Sequence, residues 1–230
     1  MPTIDLNADL GEGAGFDAEL MPLVTSANVC CGHHAGGVET MLETLRLAKE
    51  HGVTVGAHPG YADPEHFGRR EFNVAPHEVW MFCRGQLTSL EALAERFAIG
   101  VKYVKPHGAL YNQICRDADL AGGLLRVGPL PVVGLPGSAL EAVARAQNHP
   151  FIAEGFADRR YRPDGSLVPR SEPDAFVHDP AEAVRQVEWL IREKGVRTVC
   201  VHGDNPEAVA FARAVRDSLL ARGFTLQAFA

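Results

Sequence analysis

The sequence has little that would bind a polyanion, cross a membrane or be stapled by disulfides. Its 230 residues carry 22 Lys and Arg against 29 Asp and Glu, a net charge of −7. The basic residues are scattered, with Arg69–Arg70 and Arg159–Arg160 as pairs rather than tracts. The clustered charge that a phosphate backbone requires is missing, so a nucleic-acid partner is excluded. No apolar run approaches the roughly 20 residues of a membrane span, and no lipidation motif is visible, so no membrane partner is expected. No basic-then-apolar signal segment opens the chain. The cysteines (Cys30, Cys31, Cys83, Cys115 and Cys200) are odd in number and form no C-x-x-C. A cytoplasmic, reducing setting with idle thiols is expected. Neither a G-x-G-x-x-G after the first strand nor a phosphate loop occurs.

What is present is an ordinary globular composition, 46% hydrophobic and 22% charged. Short β-branched or apolar runs alternate with segments of helical periodicity. Strands are predicted at Thr3–Leu6, Ser26–Val29, Val53–Gly56, Val101–Val104, Pro131–Leu135, Phe151–Phe156, Thr198–His202 and Phe224–Ala228. Helices are predicted at Ala18–Leu23, Glu39–His51, Pro76–Phe97, Asp117–Arg126, Ser138–Gln147, Pro180–Lys194 and Glu207–Ala221. In the second of these, Met41, Leu42, Leu45 and Ala48 recur at helical spacing, and Gly52 ends the helix. Two long loops are expected, Pro59–Asn73 and Asp158–His178. The alternation predicts an α/β fold with a parallel, crossover-connected sheet, and both an open doubly wound sheet and a closed barrel fit it. With no repeat or linker in sight, residues 1–230 are read as one domain.

Polar residues collect at the carboxyl ends of the predicted strands. Asn7, Asp9 and Glu12 follow the first; Asn28, His33 and His34 the second; His58 the third; Lys105 and His107 the fourth. Asp158 and Arg159 follow the sixth, and His202, Asp204 and Asn205 the seventh. In a parallel barrel those ends share one face, so residues distant in sequence converge there. A single histidine in such a place is commonly a hydrogen-bonded turn residue, but His34, His58, His107 and His202 lie at four different strand ends. Asp9 also reads as a helix cap, since Glu12 stands three residues on. Lys105 is costly to bury unless paired or used, and could stabilise negative charge. Arg69, Arg70 and Arg170 lie in the long loops, where guanidinium groups would clamp a carboxylate or phosphate.

Acids and histidines without a Ser/His/Asp or Cys/His order point to acid–base or metal-assisted attack by water. Asp9, His34 and His58 could hold a divalent metal, magnesium being the first candidate, although no H-E-x-x-H is present. Cys30 and Cys31, adjacent on a strand, would face opposite ways and are left out of the site.

A series of segments then carries a resemblance: DLGE (Asp9–Glu12), TSANVCCGHHAG (Thr25–Gly36), GAHPGY (Gly56–Tyr61), FGRR (Phe67–Arg70), KPHGALYN (Lys105–Asn112), FADRRY (Phe156–Tyr161), LVPR (Leu167–Arg170) and VHGDNP (Val201–Pro206). In this order, over nearly the whole chain, they resemble the LamB/YcsF family, the A subunit of bacterial 5-oxoprolinase. The resemblance implies a distorted, TIM-like (β/α) barrel similar to the glycoside hydrolase/deacetylase superfamily. It implies ATP-dependent opening of the lactam of 5-oxo-L-proline to L-glutamate, with ADP and phosphate, in company with separate B and C subunits. Asp9, His34, His58, Lys105, His107, Asp158, Arg159, His202 and Asp204 match the family pattern, and all of these but Arg159 are assigned here as catalytic. Glu12, Asn28, Arg69, Arg70, Asn112, Arg159 and Arg170 are assigned here as substrate or phosphate contacts.

The chain departs from the family pattern where His33 replaces Phe, where Gly37 replaces an acid, and in a shorter loop after Glu12. Two other readings compete: a metal-dependent deacetylase or amidase on the same barrel, and a non-catalytic protein that only binds substrate for its partners.

Overall fold

The computed structural model describes residues 2–163, 165–202 and 207–230, so the predicted site residue Asp204 lies outside the described residues. Seven parallel strands close into a ring: β1 (Thr3–Leu10), β2 (Ser26–Cys30), β3 (Thr54–His58), β4 (Val101–Val104), β5 (Val132–Gly134), β6 (Phe151–Phe156) and β7 (Thr198–His202). Each pairs with its neighbour in chain order, and β1 closes the ring by pairing with both β2 and β7. The closed barrel is therefore the observed alternative, and the helices lie outside it.

β1 shows why the ring closes as it does. Along it Ile4, Leu6, Ala8 and Leu10 are apolar, buried and part of the main hydrophobic cluster with the helices. The alternate residues Asp5, Asn7 and Asp9 turn inward, as a period of two requires. The strand was expected to end at Leu6; it continues to Leu10 because its polar half faces the barrel interior rather than solvent.

The eighth expected strand is not a barrel stave. β8 (Thr225–Leu226) pairs with Thr3 and Ile4 only. β2 begins opposite Asn7, so the start of β1 has an open edge on that side. Gln227 N–H donates to the Ile4 carbonyl, and one pleat further on Thr25 N–H donates to the Leu6 carbonyl of the same edge. β8 thus occupies the edge that β2 leaves, and Phe229 just beyond it packs against Tyr103 inside the ring.

The crossovers carry α1 (Asp17–Leu20), α2 (Val38–His51), α3 (Pro76–Ala94), α4 (Gly108–Arg116), α5 (Ala118–Leu125), α6 (Ala139–Ala146), α7 (Pro180–Lys194) and α8 (Ala208–Ala221). Met41, Leu45 and Ala48 of α2 are buried as their spacing predicts, and Gly52 ends the helix in the left-handed conformation at φ 66°. α4 was not anticipated from the sequence, although its buried Leu110, Tyr111, Ile114 and Cys115 keep helical spacing. It starts directly after the barrel mouth, with His107 at its N-cap.

Candidate active site

A column of polar side chains runs up the barrel interior beside the apolar cluster of Tyr103, Val133, Ile152 and Phe229. At the amino end Asp5 accepts hydrogen bonds from the hydroxyls of Thr25, Ser26 and Thr198. One layer up, Asn7 donates to Thr198 and to Glu154, and Asn28 donates to Asn7. Tyr103 donates its hydroxyl to Asn28 at 2.7 Å, its ring lying over Gly56, where any Cβ would collide with it. These layers carry the residues at the mouth.

Asp9 and Lys105 form the floor of the mouth. Lys105 Nζ lies 2.8 Å from Asp9 Oδ1, 3.0 Å from Glu154 Oε1 and 3.1 Å from Cys200 Sγ, and the side chain is fully enclosed. Burial alone would push this ammonium down, but Asp9, Cys200 and Glu154 hold it well above its ordinary range. Burial likewise opposes the charged form of Asp9, and the charges of His58 and Lys105 outweigh it, so the carboxyl is held well below its usual range. Asp9 is not a helix cap: Oδ1 also accepts from Asn28 at 2.8 Å, and Oδ2 lies 3.4 Å from His58 Nε2.

Above Asp9 stands a histidine cluster. His58, the last residue of β3, directs Nδ1 at the Lys105 carbonyl at 2.7 Å. His107 directs Nε2 at the Phe67 carbonyl at 2.8 Å. Their remaining nitrogens face each other at 2.9 Å. His34 stacks on His107 with 3.7 Å between centroids and 6° between planes. Glu12 Oε1 lies 3.2 Å from His34 Nε2 and 3.3 Å from His107 Nδ1. Burial pushes the His34 imidazole down to about 4, which keeps it neutral at pH 7. The ring stack is clamped by a loop whose glycines leave no room for side chains. A Cβ at Gly60 would stand 2.6 Å from His34 Nδ1, and one at Gly68 2.7 Å from His34 Cβ.

Across the mouth, Asp158 accepts from the His202 backbone N–H at 3.2 Å and from its Nδ1 at 2.7 Å, while the His202 ring stacks on Phe156. Between these walls lies a cavity of about 690 Å³ whose lining includes Asp9, Glu12, His58, Lys105, His107, Asn112 and His202. Arg69, Arg159 and Arg170 also reach it.

The predicted residues are not all equivalent here. Asn28 lies beneath the cavity, its amide spent on Asn7 and Asp9. Arg70 turns away, lying over the Phe72 ring and 3.4 Å from Asp63. Arg159 lines the cavity but directs its guanidinium at the carbonyls of Val168 and Ala175. His34 sits behind His107 rather than on the wall, and His33 is exposed. Glu154 and Cys200 were not anticipated. Their only sequence signal is that, counted in twos along β6 and β7, both fall on the inward face. The residues able to hold a cation fall into two groups among the described residues: Glu12, His34, His58 and His107, and separately Asp9, Cys200 and His202.

Comparison with known proteins agrees with this architecture. The sequence model of the LamB/YcsF family matches residues 4–230. The chain is 42% identical over 245 aligned positions to the 5-oxoprolinase A subunit of Neisseria meningitidis serogroup C, covering 99% of this chain and 100% of that one. It is similar to the crystal structure of the lactam utilization protein from Thermus thermophilus at a TM-score of 0.90 and 41% identity, over 99% and 100% of the two chains. A family 4 carbohydrate esterase from Streptomyces lividans, in complex with acetate, shares the fold at a TM-score of 0.54 and 11% identity, over 100% and 93%.

Proposed function

The chain belongs to the LamB/YcsF family, and on that premise we propose that it is the A subunit of an ATP-dependent 5-oxoprolinase, opening 5-oxo-L-proline to L-glutamate together with separate B and C subunits. The observation that carries the reading is the Lys105 ammonium held 2.8 Å from Asp9 at the floor of a cavity walled by imidazoles and arginines. Such a floor offers preorganised positive charge where an oxyanion develops. The relatives named for 5-oxoprolinase and lactam utilization support the substrate class.

A five-membered lactam is an unactivated amide that closes again readily, which gives ATP its place. Transfer of the ATP γ-phosphoryl group to the lactam oxygen leaves ADP and makes the ring carbon electrophilic. Water adds to that carbon. The ring C–N bond then breaks, its electron pair staying on nitrogen, which takes a proton and becomes the amine of glutamate. A second water hydrolyses the acyl phosphate, releasing phosphate. To this chain we assign the water-addition steps. The His58–His107 pair, beside Asp9 and backed by His34, takes the proton from water when no cation occupies its inward nitrogens. Lys105 stabilises the tetrahedral oxyanion, and Arg69 and Arg170, with Asn112, receive the substrate carboxylate and the phosphate. His202, oriented by Asp158, is placed to protonate the departing nitrogen. A divalent cation fits the cluster of Glu12 and three histidines, and when bound would supply a Lewis acid and a more acidic water. Among the described residues no helix is long and apolar enough to cross a membrane, and the five thiols are free and buried. Both accord with work in the cytoplasm.

The same nitrogen-rich cluster favours a second reading, a metal-dependent amidase needing no ATP. The two separate when purified chain, with and without its partner subunits, is given 5-oxo-L-proline and ATP, or N-acetyl sugars alone. Glutamate and phosphate formed together, only with ATP and partners, is the expected result. Release of acetate from the sugars without ATP would overturn the lactam reading.

A further inference from the structure

Several hydrogen-bond acceptors meet above Asp9 with too few protons between them. His58 Nδ1 and His107 Nε2 each face a backbone carbonyl, at 2.7 and 2.8 Å. A carbonyl oxygen only accepts, so both of these nitrogens carry the ring proton. In the neutral rings, His58 Nε2 and His107 Nδ1 are then bare lone pairs, 2.9 Å apart. Glu12 Oε1, a further acceptor, lies 3.3 Å from His107 Nδ1 and 3.8 Å from His58 Nε2. His34 Nε2 reaches the same oxygen at 3.2 Å. One extra proton, which Asp9 favours on His58, would reconcile the two imidazoles, but it would leave Glu12 Oε1 facing the His107 Nδ1 lone pair at 3.3 Å. A single cation reconciles all of them.

We propose that Glu12, His34, His58 and His107 form a built cation site that selects a zinc-class ion over magnesium. Ligand atoms bonded to one ion at about 2.0–2.2 Å lie roughly 3–3.5 Å from one another. The contacts here run from 2.9 to 3.8 Å, and all four ligand atoms fall within 4.8 Å of each other. Two of the imidazoles have their outer N–H groups fixed by backbone carbonyls, the support that orients metal-bound histidine. Three nitrogens and one carboxylate suit zinc and its neighbours, whereas magnesium prefers oxygen ligands and retained water. The expected set of Asp9, His34 and His58 is thereby revised. Asp9 Oδ1 is committed to Lys105 and Asn28, both at 2.8 Å, and Oδ2, although 3.4 Å from His58 Nε2, falls outside the group of ligand atoms that all lie close to one another. The ligands are also preorganised, since Gly60 and Gly68 press the His34–His107 stack into place.

The inference rests on reading this cluster as the working site, but bound metal is measured without turnover. Full-length chain stripped with a chelator is titrated by calorimetry with Zn²⁺ and with Mg²⁺, and by visible absorption with Co²⁺. One zinc per chain is expected, with magnesium at least about 100-fold weaker and visible bands of nitrogen-bound cobalt. Glu12→Gln and His107→Ala each weaken zinc binding by about 10–100-fold or more, while the exposed His33→Ala leaves it unchanged. Asp9→Asn keeps one-to-one binding; a loss as large as that of Glu12→Gln would overturn the ligand set. Circular dichroism checks the fold of each variant. If a ligand variant does not fold, the zinc-induced rise in the melting temperature of the stripped wild type carries the test. No zinc binding by the wild type, a preference for magnesium, or unchanged binding in both Glu12→Gln and His107→Ala overturns the proposal. Zinc binding without 5-oxoproline turnover would leave the site standing and remove the reaction; turnover by metal-free chain with no zinc bound on titration would remove the site and leave the reaction standing.

Discussion

Between the strands and the helices, β1 contributes Ile4, Leu6, Ala8 and Leu10, and the helices answer with residues such as Leu45, Leu87, Leu110 and Val187, all buried. Inside the ring the same strand contributes Asp5, Asn7 and Asp9, answered by Thr198, Glu154, Asn28 and Lys105, equally buried. The two regions lie one strand's thickness apart and are built from opposite chemistry. The apolar shell is stabilised by area removed from water, about 1.5–3 kcal/mol for each large side chain, and it tolerates modest rearrangement. The polar column is stabilised only while every group keeps its partner, and a buried ion pair adds little net stability. What the column secures is position: it fixes Asp9 and Lys105 beneath the histidines.

The contrast is broken most severely at Lys105. Lys105→Met leaves Asp9 and Glu154 facing each other without a cation. Urea denaturation should show a loss of about 3–5 kcal/mol, and turnover in the reconstituted complex should fall by about 10³-fold or more. Leu45→Ala probes the shell. It should cost about 2–5 kcal/mol in the same denaturation experiment while kcat stays within about twofold of wild type, because α2 carries no side chain of the cluster. Tyr103→Phe removes one hydrogen bond of the column, the one to Asn28, at a cost of about 1 kcal/mol. A matching small fall in kcat would show that the lower layers position the upper ones. The smallest effect is expected outside both regions. Arg70→Ala, on the far side of its loop, should shift stability by no more than about 0.5 kcal/mol and leave KM unchanged, whereas Arg170→Ala, on the cavity wall, should raise KM about tenfold through the lost anion contact.

Much of the mouth was legible in the sequence because Asp9, His58, Lys105 and His107 each follow an apolar run, and polar residues there stand out. The column beneath was not, for the same reason. Asn7 reads as the end of a strand when polar residues are taken to mark solvent, yet T-I-D-L-N-A-D-L alternates without interruption through Leu10. Glu154 and Cys200 lie in mid-strand, where only knowledge of a polar interior makes them conspicuous. Loop arginines fared worst, since spacing does not say which way a guanidinium turns: Arg70 pairs with Asp63, and Arg159 holds the carbonyls of its own loop. α4 was hidden by Gly108, which opens it at φ 53° and reads as a loop residue. Near-contact of His34 with His107 joins two loops 73 positions apart, a relation that only closure of the ring creates.

The most direct test of catalysis at this cluster is turnover of 5-oxo-L-proline by a complex reconstituted with His107→Ala, with circular dichroism and assembly of the complex measured on the same sample. A folded, assembled complex that has lost about 10²–10⁴-fold in kcat is the predicted result. Full turnover from that complex would contradict it, and would make this chain a binding protein whose partners perform the chemistry.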